Sequence, residues 1–179
     1  MLAGFVYVDL IGQDLFVIGD EHDNAFTIDL TTESAETLVQ GQGQTNIFFS
    51  DGFDDRFDLA QLRDLRVYSN HGDDSVTIFA EGFIAQDDLI VSLALGDDSL
   101  YIEGGEFAGD ARIYAGANHD SISLSNVSVG DDLSICAMAG RDIIALNGVN
   151  VADQTELLGQ YGHDTILVNN SNIGGDFFV

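Results

Sequence analysis

The residues best suited to chemistry in this sequence are aspartates that recur at a fixed interval. One set lies in short phrases such as Gly-Asp-Asp-Ser and Gly-His-Asp-Thr, at intervals of 24, 22, 22 and 22 residues, and comprises Asp74, Asp98, Asp120, Asp142 and Asp164. A second set keeps the 22-residue interval, with Gln154 out of pattern, and comprises Asp88, Asp110, Asp132 and Asp176. Carboxylate oxygens suit Ca²⁺, and paired carboxylates suit hydrolysis. Because two sets of markers share one period, the sequence predicts internal repeats.

Apolar residues alternate with polar ones in the segments between these aspartates, which is typical of strands with one buried face. The three apolar columns begin at Val76/Ile78, Phe83 and Leu89/Val91 and return in each later repeat. Each repeat therefore predicts about three short strands, and stacking would bury a continuous core. We predict an all-β fold, a parallel β-helix (β-solenoid) of about 22 residues per coil, with roughly eight coils at about 4.8 Å each.

The N-terminal part of the chain follows this scheme loosely. We predict degenerate N-terminal coils with an excursion in residues 1–70, regular repeats in residues 71–179, and one continuous domain. Residues 14–18 and 23–28 resemble repeat strands, whereas residues 30–50 break the period, with a hairpin or short helix expected around 34–39. Terminal repeats of solenoids are usually atypical because they cap the stack. The regular repeat that ends Asp-Phe-Phe-Val has no polar cap, so we expect this end to be a contact surface.

Charge and composition exclude several classes of function. Lys and Arg number 5 against 31 Asp and Glu, a net charge of -26, so binding to nucleic acid or to an anionic membrane is not expected. Cations and cationic partners are favoured instead. A single cysteine excludes an internal disulfide. No apolar run approaches about 18 residues, so membrane insertion is not expected. The first residues lack a signal-peptide pattern, so the chain is either intracellular or a trimmed mature region.

Two phrases carry a resemblance to a known family. Residues 116–122 (Gly-Ala-Asn-His-Asp-Ser-Ile) and 129–135 (Val-Gly-Asp-Asp-Leu-Ser-Ile) resemble the RTX-like, haemolysin-type calcium-binding repeats, and more closely their long-period variants in large secreted bacterial proteins such as planctomycete-type surface proteins. The resemblance covers most of the chain and implies a secreted or cell-surface location and Ca²⁺ as the cofactor. Most repeats retain only Gly-x-Asp, without the full nonapeptide that forms both calcium half-sites.

Stacking would place the aspartates of each set about one strand separation, roughly 5 Å, apart. Carboxylates this close either have raised pKa values or attract cations. The candidate metal ligands are Asp74, Asp98, Asp120, Asp142, Asp164, Asp88, Asp110 and Asp132. Two alternatives remain open: each Asp accepts hydrogen bonds from N–H groups of its own turn, or the charge gathers cations without specific sites.

Other polar residues give weaker indications. His22, His119 and His163 each precede an aspartate, but nothing in the sequence orients one of them as a catalytic base. Cys136 is expected to be an outward packing residue in one file with Ser92, Tyr114 and Leu158.

The sequence favours a non-catalytic structural or adhesion module that binds divalent cations weakly, forms homo-oligomers or filaments through its ends, and has no catalytic residues. The main alternative is a polysaccharide lyase or hydrolase on a β-helix. Lyases need clustered basic residues for uronates, whereas Arg112 and Arg141 are isolated. An acidic DNA mimic is a further alternative. Ice binding would need a regular outward Thr file, which is absent.

Overall fold

The chain folds into a β-solenoid in which each full coil contributes one strand to each of three sheets. The structure is a computed structural model and describes residues 4–31, 38–50 and 59–179. The first sheet contains β1 (Phe5–Ile11), β2 (Asp14–Gly19), β5 (Asn46–Phe49), β6 (Leu65–Tyr68), β9 (Leu89–Leu95), β12 (Ala111–Ala117), β15 (Leu133–Gly140), β18 (Thr155–Leu158), β19 (Tyr161–Gly162) and β22 (Phe177–Phe178).

Shorter strands form the other two sheets. The second sheet contains β3 (Ala25–Asp29), β4 (Val39–Gly41), β7 (Ser75–Phe79), β10 (Ser99–Glu103), β13 (Ser121–Ser125), β16 (Ile143–Asn147) and β20 (Thr165–Asn169). The third sheet contains β8 (Ile84–Ala85), β11 (Glu106–Phe107), β14 (Ser128–Val129), β17 (Asn150–Val151) and β21 (Asn172–Ile173). A short 3₁₀ turn, Leu59–Gln61, precedes β6.

The strand registers confirm the predicted fold and period. Ser99 pairs with Ser121 and Ser121 with Ile143, in parallel and 22 residues apart each time. The same shift relates Phe107 to Val129 in the third sheet. The five-stranded third sheet defines five full coils rather than the eight that we expected. The expectation was too high because residues 1–70 contribute only β2, β3 and β6 to the parallel stack.

Antiparallel strands cover the N-terminal end of the stack. In the first sheet β1 pairs antiparallel with β2, and in the second sheet β4 pairs antiparallel with β3. The expected hairpin or helix around residues 34–39 falls largely on residues 32–37, which lie outside the described residues; Val39 begins β4. At the other end, β20, β21 and β22 are the last strands of their sheets.

The core is the set of inward columns that the alternation predicted. Ile122, Leu124, Ile135 and Leu146 are at most 1% exposed, and the neighbours of the first three in both adjacent coils are equally buried. In the last coil the apolar columns have no further coil packed against them, and Val168 is 37%, Phe177 46% and Val179 72% exposed. No helix in the described ranges is long and apolar enough to cross a membrane.

Candidate functional site: stacked aspartate files

The first set of aspartates lies in the turn between the first and second sheets, and we call it the inner file. Its members, one per coil, are Asn24, Asp74, Asp98, Asp120, Asp142 and Asp164. All but the last are almost wholly enclosed: Asn24 and Asp142 are 1% exposed and Asp74, Asp98 and Asp120 are 2% exposed, whereas Asp164 is half-buried. Gly-x-Asp turns that bring each coil close to the next therefore place carboxyl groups inside the rod.

Hydrogen bonds along the inner file join successive coils. The backbone N–H of Asp74 donates to Oδ1 of Asp98 at 2.8 Å, and the N–H of Asp98 donates to Oδ1 of Asp120 at 2.9 Å. The same bond recurs at Asn24–Asp74, Asp120–Asp142 and Asp142–Asp164, with distances from 2.7 to 3.0 Å. We had considered that each Asp accepts a hydrogen bond from an N–H group of its own turn. This was wrong, because the donor N–H belongs to the preceding coil.

The second carboxyl oxygen in this file has no donor. Oδ2 of Asp74, Asp98, Asp120 and Asp142 is buried and makes no hydrogen bond. Burial raises the pKa of Asp74 and of Asp98 to about 7 and the pKa of Asp120 to about 6, against the donated backbone hydrogen bond that lowers each of them. Burial also raises the pKa of Asp142. These groups are enclosed acids rather than open ligands.

The second set, which we call the outer file, lies in the turn between the third and first sheets and runs in the opposite sense. Its members are Asp64, Asp88, Asp110, Asp132 and, after the interruption at Gln154, Asp176. Here Oδ1 of Asp88 accepts from the N–H of Asp110, one coil further on, at 2.9 Å. The same bond links Asp110 to Asp132 and Asp132 to Gln154, both at 2.9 Å. The carboxylates of the two files therefore face opposite ends of the solenoid axis.

Arginines neutralise the N-terminal half of the outer file. Arg112 forms ion pairs with Asp110 and, at 3.1 Å, with Asp88. Arg66 pairs with the buried Asp64. No such pair to Asp132 occurs in the described residues, and Asp131, Asp132, Asp153 and Asp176 are all exposed. We call these four residues the acidic corner.

A further row of stacked side chains was not foreseen. Oδ1 of Asp73 accepts from the N–H of Asp97 at 2.9 Å, and Oδ1 of Asp97 accepts from the N–H of His119, also at 2.9 Å. Nδ1 of His119 in turn accepts from the N–H of Arg141 at 3.0 Å. His119 thus acts as a coil-to-coil acceptor.

Two other residues of the files were missed, and only Asp64 could have been found from the repeat interval, because the period is broken between Asn24 and Asp74. Asp64 lies 24 residues before Asp88, and Asn24 lies 50 residues before Asp74, at the register of the same columns.

The other residues that the sequence singled out lie apart from the aspartate files. His22 contacts Asp20 at 2.9 Å, His163 is exposed, and Cys136 is half-buried. The predicted position of Cys136 in one file with Tyr114 and Leu158 is confirmed, because Cys136 pairs with both residues in the adjacent strands.

No set of three or more His, Cys, Asp or Glu side chains in the described ranges is arranged as a metal cluster. The files bring like carboxylates together one coil apart rather than around a point. Calcium binding by the predicted ligands stays a prediction. No protein-family model, curated protein or solved structure matches this chain.

Proposed function

We propose that the protein is a non-catalytic, extracellular structural or adhesion β-solenoid module that binds divalent cations weakly on the exposed carboxylates of its turns. The observation that carries this proposal is the acidic corner, in which Asp131, Asp132, Asp153 and Asp176 occupy three successive coils without an arginine partner among the described residues. Adjacent coils are roughly 4.8 Å apart. A Ca²⁺ ion has the ligand distances and flexible coordination to bridge oxygens from two such coils and water.

The acidic corner is a better candidate than the inner file because of access. The carboxylates of Asp74, Asp98, Asp120 and Asp142 use Oδ1 for a backbone hydrogen bond, and their Oδ2 atoms are enclosed. In the outer file, Arg112 competes with a cation at Asp88 and Asp110. Of the eight predicted ligands, Asp132 therefore has the most suitable surroundings.

Calcium is expected to raise the melting temperature of the protein. A ligand that binds only the folded state stabilises it by mass action, and it also relieves the repulsion within a chain of net charge -26. Millimolar CaCl₂ should therefore raise the midpoint, followed by circular dichroism, beyond the effect of NaCl at matched ionic strength. The triple change Asp131→Asn, Asp132→Asn and Asp153→Asn should abolish the excess.

A matched control removes the same number of charges elsewhere, through Asp73→Asn, Asp97→Asn and Glu81→Gln. This control should keep the excess stabilisation by calcium. If CaCl₂ and NaCl raised the melting temperature of the unchanged protein equally, calcium would act only by screening charge and not by binding at the acidic corner. Turnover on a panel of acidic and neutral polysaccharides would contradict the non-catalytic assignment and favour the enzyme alternative.

Self-association through the open C-terminal coil is the partner proposal. Unpaired strand edges are templates for pairing with another chain, and Phe177 and Val179 are exposed at this edge. In the 179-residue chain, light scattering should show a mass that rises with concentration. The double change Phe177→Asp and Val179→Lys should prevent this rise. A monomer at high concentration, or assembly that the double change leaves untouched, would contradict the proposal.

A further inference from the structure

We propose that the inner file is a row of proton-binding sites, in which Asp74, Asp98, Asp120 and Asp142 are neutral carboxylic acids in the folded protein under mildly acidic conditions. The inference concerns a set of residues separate from the acidic corner and does not depend on calcium binding. Its consequence is that folding takes up protons and that mild acid stabilises the solenoid.

Hydrogen bonding in the file is unsuited to ionised carboxylates. An ionised aspartate needs donors at both oxygens, and a buried charge without them is costly. Oδ1 of Asp98 receives one N–H, while its Oδ2 is buried without a donor. The same arrangement holds at Asp74, Asp120 and Asp142.

The chain itself contains a neutral version of this site. The first residue of the file is Asn24, which is 1% exposed and whose backbone N–H donates to Asp74, as the later aspartates donate to their successors. Its amide Nδ2 donates to the carbonyl oxygen of His22, two residues earlier, at 2.6 Å. An amide differs from a protonated carboxyl group mainly in having –NH₂ in place of –OH.

The donor atom of Asn24 and Oδ2 of Asp164, at the two ends of the file, occupy equivalent places. A Cβ atom built on Gly19, five residues before Asn24, would lie 2.9 Å from Nδ2 of Asn24. A Cβ atom built on Gly159, five residues before Asp164, would lie 2.5 Å from Oδ2 of Asp164. Oδ2 of Asp164 therefore stands where the amide of Asn24 donates. Because the members of the file share one register, we infer that a proton on Oδ2 of each buried aspartate would let it donate to the carbonyl two residues earlier.

Both the neighbouring first-sheet residues and the nearby titratable groups favour the neutral form of the inner-file carboxyl groups. The first-sheet residues five positions before Asp98, Asp120 and Asp142 are Leu93, Ala115 and Ala137, all buried and uncharged. At Asp74 the equivalent residue is Ser69, which is also buried and uncharged; burial raises the pKa of Asp74, and the hydroxyl of Ser69 lowers it by a smaller amount. The charged or titratable groups that act on the file are its own members and Asp23, Asp73, Asp97, Asp164 and His119. Apart from His119, these are all acids, so the ionisation of one carboxyl opposes that of its neighbours.

The sign of the pH dependence follows from these groups. In the unfolded chain an aspartate loses its proton near pH 3.9. Burial raises the pKa of Asp74 and Asp98 to about 7 in the folded protein, so the folded state holds more protons between these values. Stability is then highest at the acidic end of this window and falls as the pH rises towards about 7. Most proteins with paired carboxylates show the opposite slope.

Urea unfolding between pH 5 and pH 8 tests the proposal. The unchanged protein should unfold at a higher urea concentration at pH 5 than at pH 8. The double variant Asp98→Asn and Asp120→Asn should lose a large part of this difference, with the remainder coming from Asp74 and Asp142, and should be more stable than the unchanged protein at pH 8. The double variant Asp131→Asn and Asp132→Asn removes the same two charges from the exposed corner and should keep the difference, which separates the inner file from general charge repulsion.

Infrared spectroscopy gives a readout that does not need a folded variant. The unchanged protein at pH 6 should show the carbonyl stretch of protonated carboxyl groups, and this band should disappear between pH 6 and pH 9. Absence of the band at pH 6 would overturn the proposal. A stability that is flat or rises from pH 5 to pH 8, or an equal loss of slope in both double variants, would overturn it as well.

Discussion

Changing Gly116 to alanine is expected to destabilise the central coils of the solenoid strongly. A Cβ atom at Gly116 would lie 1.8 Å from the carbonyl oxygen of Ala94, in the coil below. Both atoms are fixed by the backbone, so no side-chain rotation relieves the overlap, and the strand spacing of about 4.8 Å cannot expand locally without breaking ladder hydrogen bonds. The φ angle of +117° adds to the cost. We expect a loss of more than about 4 kcal/mol, measured by urea unfolding.

The matched control for this change is Gly82→Ala. Gly82 also has a positive φ, +78°, but a Cβ atom there would meet nothing within 4 Å. This variant should lose only the cost of the left-handed conformation, about 1–2 kcal/mol. If the two alanine variants were equally stable, close coil-to-coil contact at Gly116 would not be what requires glycine.

Truncation of Ile135 is expected to give the second large effect. Ile135 is fully buried and lies in one inward column between Ile113 and Leu157 of the adjacent coils. Ile135→Ala would remove buried methyl groups and leave a cavity that the neighbouring coils cannot fill, because their strands are held in register. We expect a loss of about 2–5 kcal/mol in the free energy of unfolding, measured by urea titration at constant pH.

Ser134, the preceding residue of the same strand, supplies the comparison. It points outward and pairs with Arg112 and Glu156 of the adjacent coils. Ser134→Ala should change stability by less than about 0.5 kcal/mol. Similar losses at Ile135 and Ser134 would show that the inward and outward faces have been assigned wrongly.

The regular part of the fold could be predicted because two signals coincide there. The alternation at Ile122 and Leu124 fixes which face of a strand is buried, and the 22-residue return of Asp120 fixes which residues stack. Together they determine the three strands per coil and their register, and the structure confirms both.

The N-terminal cover could not be predicted in the same way. Phe5–Ile11 alternates like a repeat strand, but its direction depends on the two-residue turn at Gly12 and Gln13, which reverses the chain and makes β1 antiparallel to β2. The alternation of apolar and polar residues does not show whether a strand runs parallel or antiparallel to its neighbour. The number of full coils was overestimated for this reason.

The sequence predicted the stacking of the aspartates but not the direction of their hydrogen bonds or their burial. The interval placed Asp98 and Asp110 in stacked rows, which is confirmed by the coil-to-coil hydrogen bonds. It could not show that the inner carboxylates accept from the coil before them whereas the outer carboxylates accept from the coil after them. That difference depends on side-chain orientation within each turn, as does the burial of one oxygen in the inner file.

Equilibrium dialysis against calcium at constant ionic strength tests the proposed cation binding most directly. With NaCl holding the ionic strength at a physiological value, the protein should take up Ca²⁺ to a saturating level in the millimolar range. The triple variant Asp131→Asn, Asp132→Asn and Asp153→Asn should lose this saturable uptake, while the Asp98→Asn and Asp120→Asn variant should keep it. Uptake that stays linear with calcium concentration, or saturable uptake that the triple variant retains, would contradict binding at the acidic corner.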